Sequence, residues 1–289
     1  MRRIAVNGVH LNVETAGNGP ALLLLHGFTG SASTWTPHLD AWRGFTTIAI
    51  DLLGHGNSDC PADPRRYGFE HAVADLVGIL DRLGITQAAV LGYSMGGRLA
   101  LHLALYCARH LPERVSALVL ESTSPGIEDA SERRARARGD RSLAAAIERD
   151  GIDSFVERWQ ALPLFSTQER LPARARERLR RQRLANDPRG LANSLRGMSV
   201  GVQEPLLAHL GTIDAPVLLI AGVLDEKYRN LARQMASRLP RARLETVSEA
   251  GHAVHLEQPV VFARTVRSFL ADHADEKKPL PPENTGLGT

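Results

Sequence analysis

The 289-residue sequence predicts an α/β fold: a mostly parallel central sheet, helices on both faces, and one helical insertion. Three observations predict it. Short apolar runs alternate with longer helical stretches over most of the chain. The alternation breaks once, between about residues 125 and 205. The pentapeptide Gly92-Tyr93-Ser94-Met95-Gly96 stands where one apolar run meets a helix.

The apolar runs are ALLLLHG (21–27), TTIAID (46–51), AAVLGYS (88–94), SALVLES (116–122), PVLLIAG (216–222) and ARLETVS (242–248). Most are apolar at consecutive positions, which suits strands covered on both faces. Ahead of them, MRRIAVNGVHLNVETAG reads as strand, turn, strand. Helical patterns fill 69–84, 95–110, 226–240 and 259–273. Residues 126–204 hold no strand-like run. They are rich in arginine, with breaks at Gly151, Pro163, Pro172 and Pro188, and read as a helical cap. The cap divides a core of residues 1–125 and 205–273. The polar, proline-rich stretch 274–289 reads as a disordered tail.

Composition narrows the functional classes. Hydrophobic residues are 43% and charged residues 23%, ordinary for a globular protein. The net charge of +3, from 35 basic and 32 acidic residues, is too small to argue for nucleic acid. In the arginine-rich stretch, Trp159 and Phe165 read as packing residues rather than a base-stacking array. Cys60 and Cys107 have neither metal-ligand nor disulfide-framework spacing, so a reducing cytoplasm is expected. No run approaches the ~18 apolar residues of a membrane span.

A G-x-S-x-G motif carries chemistry when a strand leads into it and a helix leaves it, because the sharp turn exposes the serine hydroxyl at the sheet edge. AAVLGYS followed by MGGRLAL meets that condition. Gly92 and Gly96 allow strand and helix to approach. Ser94 then needs an imidazole, and the imidazole a carboxylate. Asp225 follows PVLLIAG and His252 follows ARLETVS, so both fall on loops at that edge and complete the order serine, acid, histidine. Glu226, Glu257 and His255 are rivals. Glu257 reads as a cap of the last helix. A metal site on His252, His255 and Glu257 lacks further ligands. The backbone N–H of Met95 and of Phe28, in LLHGFTGS, are expected to face developing negative charge. His26 reads as a brace of that loop, and Asp51, His55 and Ser58 as parts of a loop-shaping turn.

The motifs LLHGFTGSASTW, DLLGHGNSD, GYSMGGRLAL, LESTSPGIED, WQALPLF, RQRLANDPRGLANSLRGMS, LDEKY and GHAVHLEQP together resemble the α/β-hydrolase fold. More narrowly they resemble the MenH family, the 2-succinyl-6-hydroxy-2,4-cyclohexadiene-1-carboxylate synthases of menaquinone and phylloquinone biosynthesis. The resemblance runs from about residue 4 to 272. It implies a cofactor-free, metal-free lyase that eliminates pyruvate from 2-succinyl-5-enolpyruvyl-6-hydroxy-3-cyclohexene-1-carboxylate, with Ser94 as base. It implies substrate contacts from Tyr93, Arg98, Arg136, Trp159 and Arg183, with Arg133, Arg134 and Arg138 close to Arg136 in sequence. Guanidinium binds carboxylate bidentately and keeps its charge, as a small anionic substrate with three carboxylates requires. A carboxylesterase or C–C bond hydrolase of the same fold, or a non-catalytic receptor on the same scaffold, are the other readings.

Overall fold

The computed structural model describes residues 2–273. The expected tail lies outside the described residues.

Eight strands form one sheet: β1 (Arg2–Val6), β2 (Val9–Ala16), β3 (Ala21–Leu25), β4 (Thr46–Ile50), β5 (Ala88–Tyr93), β6 (Val115–Glu121), β7 (Val217–Gly222) and β8 (Ala242–Val247). Their spatial order is β1-β2-β4-β3-β5-β6-β7-β8. β2 pairs antiparallel with β1 and β4, and every pairing from β4 to β8 is parallel.

The continuous apolar runs are explained by the pleat. Successive side chains point to opposite faces. Leu23 and Leu25 therefore enter one core layer while Leu22 and Leu24 enter the other. Leu118 and Leu120 against Ala117 and Val119 divide in the same way. One layer is closed by α1 (Phe69–Arg82), α2 (Met95–His110) and α6 (Glu226–Ala236), through residues such as Leu76, Leu99 and Met235. The other is closed by α8 (Pro259–Asp272) and a 3₁₀ segment at Ala32–Trp42, through Phe262, Phe269, Trp35 and Trp42. The two edge strands, β1 and β8, are mostly exposed or half-exposed, which matches their mixed composition.

Between β6 and β7 the chain adds no strand. α3 (Ala130–Gln160), α4 (Ala173–Leu184) and α5 (Pro188–Met198) occupy the interval. Its breaks have local causes. Gly151 takes φ 80° and kinks α3. Pro163 opens a 3₁₀ turn, Pro172 precedes α4, and Pro188 starts α5, where a missing N–H costs no helical bond. Asp129 and Asp187 cap α3 and α5 by accepting backbone N–H bonds. The helices close over a small core of their own: Ile147, Phe155, Val156, Leu191 and Leu195, with Phe28 and Trp159 packed against it. Among the described residues no helix is long and apolar enough to cross a membrane.

Helix ends fall short of expectation, by two residues in α1, by one in α8 and most in α6. α6 stops at Ala236 rather than 240; Ser237 is its C-cap, and Pro240 disfavours a helical conformation at Leu239. The segment 32–42 shows no helical periodicity in sequence, having Pro37 inside it, yet folds as 3₁₀ turns around two buried tryptophans.

Several histidines are buried in the fold. Burial lowers His26 and His102 to about 4, and His38 and His55 to about 3. In the unfolded chain each would bind its proton near pH 6.5. Below that pH the unfolded state binds more protons than the folded state, so stability must fall as pH drops. We expect the urea midpoint to decline steadily from pH 6.5 toward 4. His38 lies in an aromatic slot against Trp42 and Phe262. His38→Phe should flatten the decline by about one proton's worth of slope; an unchanged slope would show that His38 does not titrate on unfolding.

Candidate active site

β5 ends at Tyr93 and α2 begins at Met95, so Ser94 alone makes the turn, at φ 51° and ψ −107°. A left-handed φ is unfavourable for serine, and the surroundings hold it there. The Ser94 N–H donates to the Glu121 carbonyl (2.9 Å), and the Ser94 carbonyl accepts from the Arg98 N–H (3.0 Å). A Cβ on Gly92 would collide with the Gly96 carbonyl, and one on Gly96 with the carbonyls of Leu25 and His26. Only glycine permits that convergence.

The histidine and the acid arrive on the next loops. A Cβ on Gly222 would strike the carbonyls of Ala250 and Gly251, so the end of β7 abuts the turn that follows β8. Two backbone bonds fasten them, Val223 N–H to the Val247 carbonyl and Leu224 N–H to the Ala250 carbonyl, both 2.9 Å. Asp225 then divides its oxygens. One accepts the Tyr228 N–H at 3.2 Å and caps α6; the other lies 2.8 Å from His252 Nδ1. With Nδ1 as donor, His252 Nε2 is left as an acceptor, 3.1 Å from the Ser94 hydroxyl. Asp225 and His252 are both buried. Such a chain can take a proton from the serine and stabilise the imidazolium that forms.

The rivals have other partners. Glu226 is exposed. His255 pairs with Glu121 at 2.9 Å. Glu257 does not cap the last helix as its sequence position suggests. It accepts the N–H groups of Gly251 (2.7 Å) and Ala253 (3.2 Å), because α7 (Val254–Glu257) turns its side chain back toward the His252 loop. His26 braces its loop, with Nδ1 donating to the Gly27 carbonyl (2.8 Å) and Nε2 accepting the Leu52 N–H (3.0 Å). Asp51 shapes the neighbouring turn by accepting the N–H groups of Ala32 (2.6 Å) and Asn57 (2.8 Å). The Ser58 hydroxyl donates to the Asp51 carbonyl, and His55 Nδ1 bonds the Leu53 carbonyl at 3.2 Å. Among the described residues the backbone N–H of Phe28 and of Met95 meet no backbone acceptor. Both residues line the same cavity as Ser94 and His252.

That cavity measures about 760 Å³, the size of a small-molecule site. Tyr93, Arg98, Arg136, Trp159 and Arg183 line it. Arg98 sits one helical turn beyond Ser94. Its guanidinium donates to the Met198 carbonyl (2.6 Å) and the Gln203 amide oxygen (3.2 Å), and covers the Phe69 ring at 5.6 Å. Arg183 is 5% exposed, donates to Gln168 Oε1 (3.0 Å), lies over Phe165 at 5.2 Å, and leaves its buried Nε without a partner. Burial lowers both to about 10, so both stay charged at neutral pH. Neither has a carboxylate partner among the described residues, whereas Arg136 pairs with Asp140 at 2.7 Å. Of the four neighbouring arginines, Arg136 lines the cavity, while Arg133 turns to the carbonyls of Ile127 and Glu128. Trp159 packs edge-on against Phe28 at 5.2 Å.

Comparison with known proteins places the chain in a family. The family model for the alpha/beta hydrolase fold matches residues 20–259. A Bacillus subtilis (strain 168) protein provisionally named 2-succinyl-6-hydroxy-2,4-cyclohexadiene-1-carboxylate synthase is 47% identical over 88% of this chain and 93% of its own. A protein of Yersinia pseudotuberculosis serotype O:3 (strain YPIII), named as that synthase outright, is 33% identical over 92% of this chain and 91% of its own. The solved structure of MenH from S. aureus superposes with a TM-score of 0.85 at 33% identity, covering 91% of this chain and 98% of that one. The chain belongs to the MenH family of the α/β-hydrolase fold.

This MenH-family chain also brings to the cavity wall residues that the sequence motifs did not single out: Arg178, Gln182, Lys227 and Tyr228. A signal existed for the first two. Positions 175, 178, 179 and 182 share one face of α4, the face that Arg183 adjoins. Lys227 and Tyr228 follow Asp225 directly, but which of them turns inward depends on how α6 packs. The Tyr228 ring lies 4.4 Å from that of His252. Gln168 is buried and visible only as the partner of Arg183.

The convergence at Ser94 leaves no space for a methyl group on Gly96. Gly96→Ala should cost roughly 1–3 kcal/mol of unfolding free energy, as overpacking of a filled site does. Urea unfolding checks this, and a native-like midpoint would mean that β5 and α2 can separate.

Proposed function

We propose that the protein is a 2-succinyl-6-hydroxy-2,4-cyclohexadiene-1-carboxylate synthase, a carbon–oxygen lyase of quinone biosynthesis. The observation that carries this reading is the pair of guanidinium groups in the cavity wall, half-buried Arg98 and buried Arg183, neither of them ion-paired to a carboxylate of the described residues. Burying a charge without a counter-charge is costly. A cavity that keeps two beside a Ser–His–Asp chain is built for an acidic ligand, and the enolpyruvyl substrate carries three carboxylates. An ester hydrolase of apolar substrates has no use for them. The names of the relatives supply the reaction.

In this reading residues 126–204 form the cap over the site, and the enzyme works in the cytoplasm without cofactor or metal. His252 draws the proton from the Ser94 hydroxyl while Asp225 holds the imidazole. Ser94 Oγ removes the ring proton of the substrate. The electron pair moves through the ring and expels the enolpyruvyl oxygen. His252, now protonated, can return a proton as pyruvate leaves. The free amides of Phe28 and Met95 face the negative charge that builds up. Arg98, Arg183 and Arg136 hold carboxylates, with Tyr93 and Trp159 shaping the wall. Arg136 is the weakest of the three, since Asp140 already neutralises much of its charge.

An esterase of the same fold would use the same hydroxyl and amides, so substrates decide. Native protein should release pyruvate from the enolpyruvyl substrate and turn over an uncharged aryl ester poorly; the reverse pattern would replace the lyase reading. Ser94→Ala and His252→Ala should each lower kcat at least about a thousandfold, as loss of a triad member does. A Ser94→Ala protein that binds ligand with unchanged response would point to the receptor reading instead. Arg98→Gln should act mainly on KM, lowering kcat/KM about 10- to 100-fold, the worth of one charge-assisted contact.

A further inference from the structure

Glu121 ends β6, in register with Tyr93 on the neighbouring strand, and is completely buried. Its main chain and its side chain reach in different directions. The main-chain carbonyl accepts the Ser94 N–H (2.9 Å) and the Thr123 hydroxyl (3.2 Å). The carboxylate accepts the His255 N–H (2.9 Å), and His255 Nδ1 lies 2.9 and 3.0 Å from its two oxygens. His255 is on α7, three residues after His252, and is itself buried. At the far end of α7, Glu257 accepts the N–H groups of Gly251 and Ala253, on either side of His252. One residue thus touches both the turn that carries the hydroxyl and the short helix that follows the imidazole. No step of the reaction above uses Glu121 or His255.

We propose that Glu121 is a positioning residue: its carbonyl fixes the Ser94 turn and its carboxylate, through His255, fixes the His252 loop, so that hydroxyl and imidazole are held at reacting distance. The inference rests on the reading of Ser94 and His252 as the reacting pair. A buried carboxylate–histidine pair is an expensive way to fill space, because apolar side chains of the same volume do it at least as well. What the pair adds is direction. Two donors on His255, its backbone N–H and an Nδ1–H shared between the two carboxylate oxygens, set the rotation of α7 against β6, and with it the point at which His252 leaves the chain. Proton transfer tolerates little error there: a displacement of about 1 Å can cost a hundredfold in rate.

The test uses Glu121→Gln, which keeps the shape but removes the negative charge and replaces one of the two acceptor oxygens by an NH2 donor, together with His255→Asn and the double variant. The readouts are the rate of Ser94 labelling by diisopropyl fluorophosphate, the kcat and KM for pyruvate release, and the urea midpoint. Each single variant should label at least about tenfold more slowly, with kcat lowered and KM held within about twofold. The double variant should be hardly worse than either single, because the two side chains act as one unit. Labelling rates within threefold of native in both singles, or losses that simply add in the double variant, overturn the proposal. If Glu121→Gln does not fold, His255→Asn alone decides by the same tenfold and threefold limits. Slow labelling in the variants, combined with no pyruvate release by the native protein, would sink the lyase reading and leave the positioning role standing.

Discussion

The close approach of β5 and α2 is the constraint on which the site depends. With glycine at 92, 96 and 97, the strand and the helix meet almost backbone to backbone, and the chain has a single residue in which to turn. That residue is Ser94, forced to a positive φ. Three consequences follow. The hydroxyl stands at the carboxyl edge of the sheet, the first amide of α2 is left without an intrahelical acceptor, and Arg98 comes one turn later on the same helix. Because the strands from β3 to β8 run parallel, the loops after β3, β6, β7 and β8 all reach that same edge. Phe28, Glu121, Asp225 and His252 are brought together by this shared polarity rather than by any local attraction.

The charges around the site divide into two kinds. Some arginines on the outer faces of the helical insertion meet acids at the surface, as Arg149 meets Asp150 and Arg196 meets Glu148. Such pairs contribute little, about 0–1 kcal/mol each. Arg98, half-buried, and Arg183, buried, lie in the cavity wall and rest on neutral oxygens and aromatic faces. Neutral acceptors orient a guanidinium without cancelling its charge. The positive potential is therefore directed into the cavity, where the low-dielectric walls strengthen it.

Three carboxylates surround the imidazole loop, each with a different task. Asp225 bonds the ring of His252. Glu257 bonds the amides that flank it. Glu121 anchors the short helix beyond it. In sequence all three are simply acids near strand or helix ends. Only Asp225 follows the strand whose end abuts the histidine turn, and Glu226, its neighbour, faces solvent.

The sequence by itself determined the strands, the main helices and the turn at Ser94. Those depend on local periodicity and on the backbone freedom of particular glycines, which a single chain displays openly. It also placed Asp225 and His252 on the correct edge, because strand polarity alone decides which loops meet. Tertiary structure decided everything that depends on rotation about a helix or on a distant partner. It chose Arg136 over Arg133 for the cavity wall, and it bound Arg136 to Asp140 while leaving Arg183 without a carboxylate. It folded Glu257 back toward the His252 loop, and it joined Glu121 to a histidine 134 residues away. Sequence spacing records where a side chain starts, but its partner is settled only when separate elements pack and each buried polar group must find the group that satisfies it.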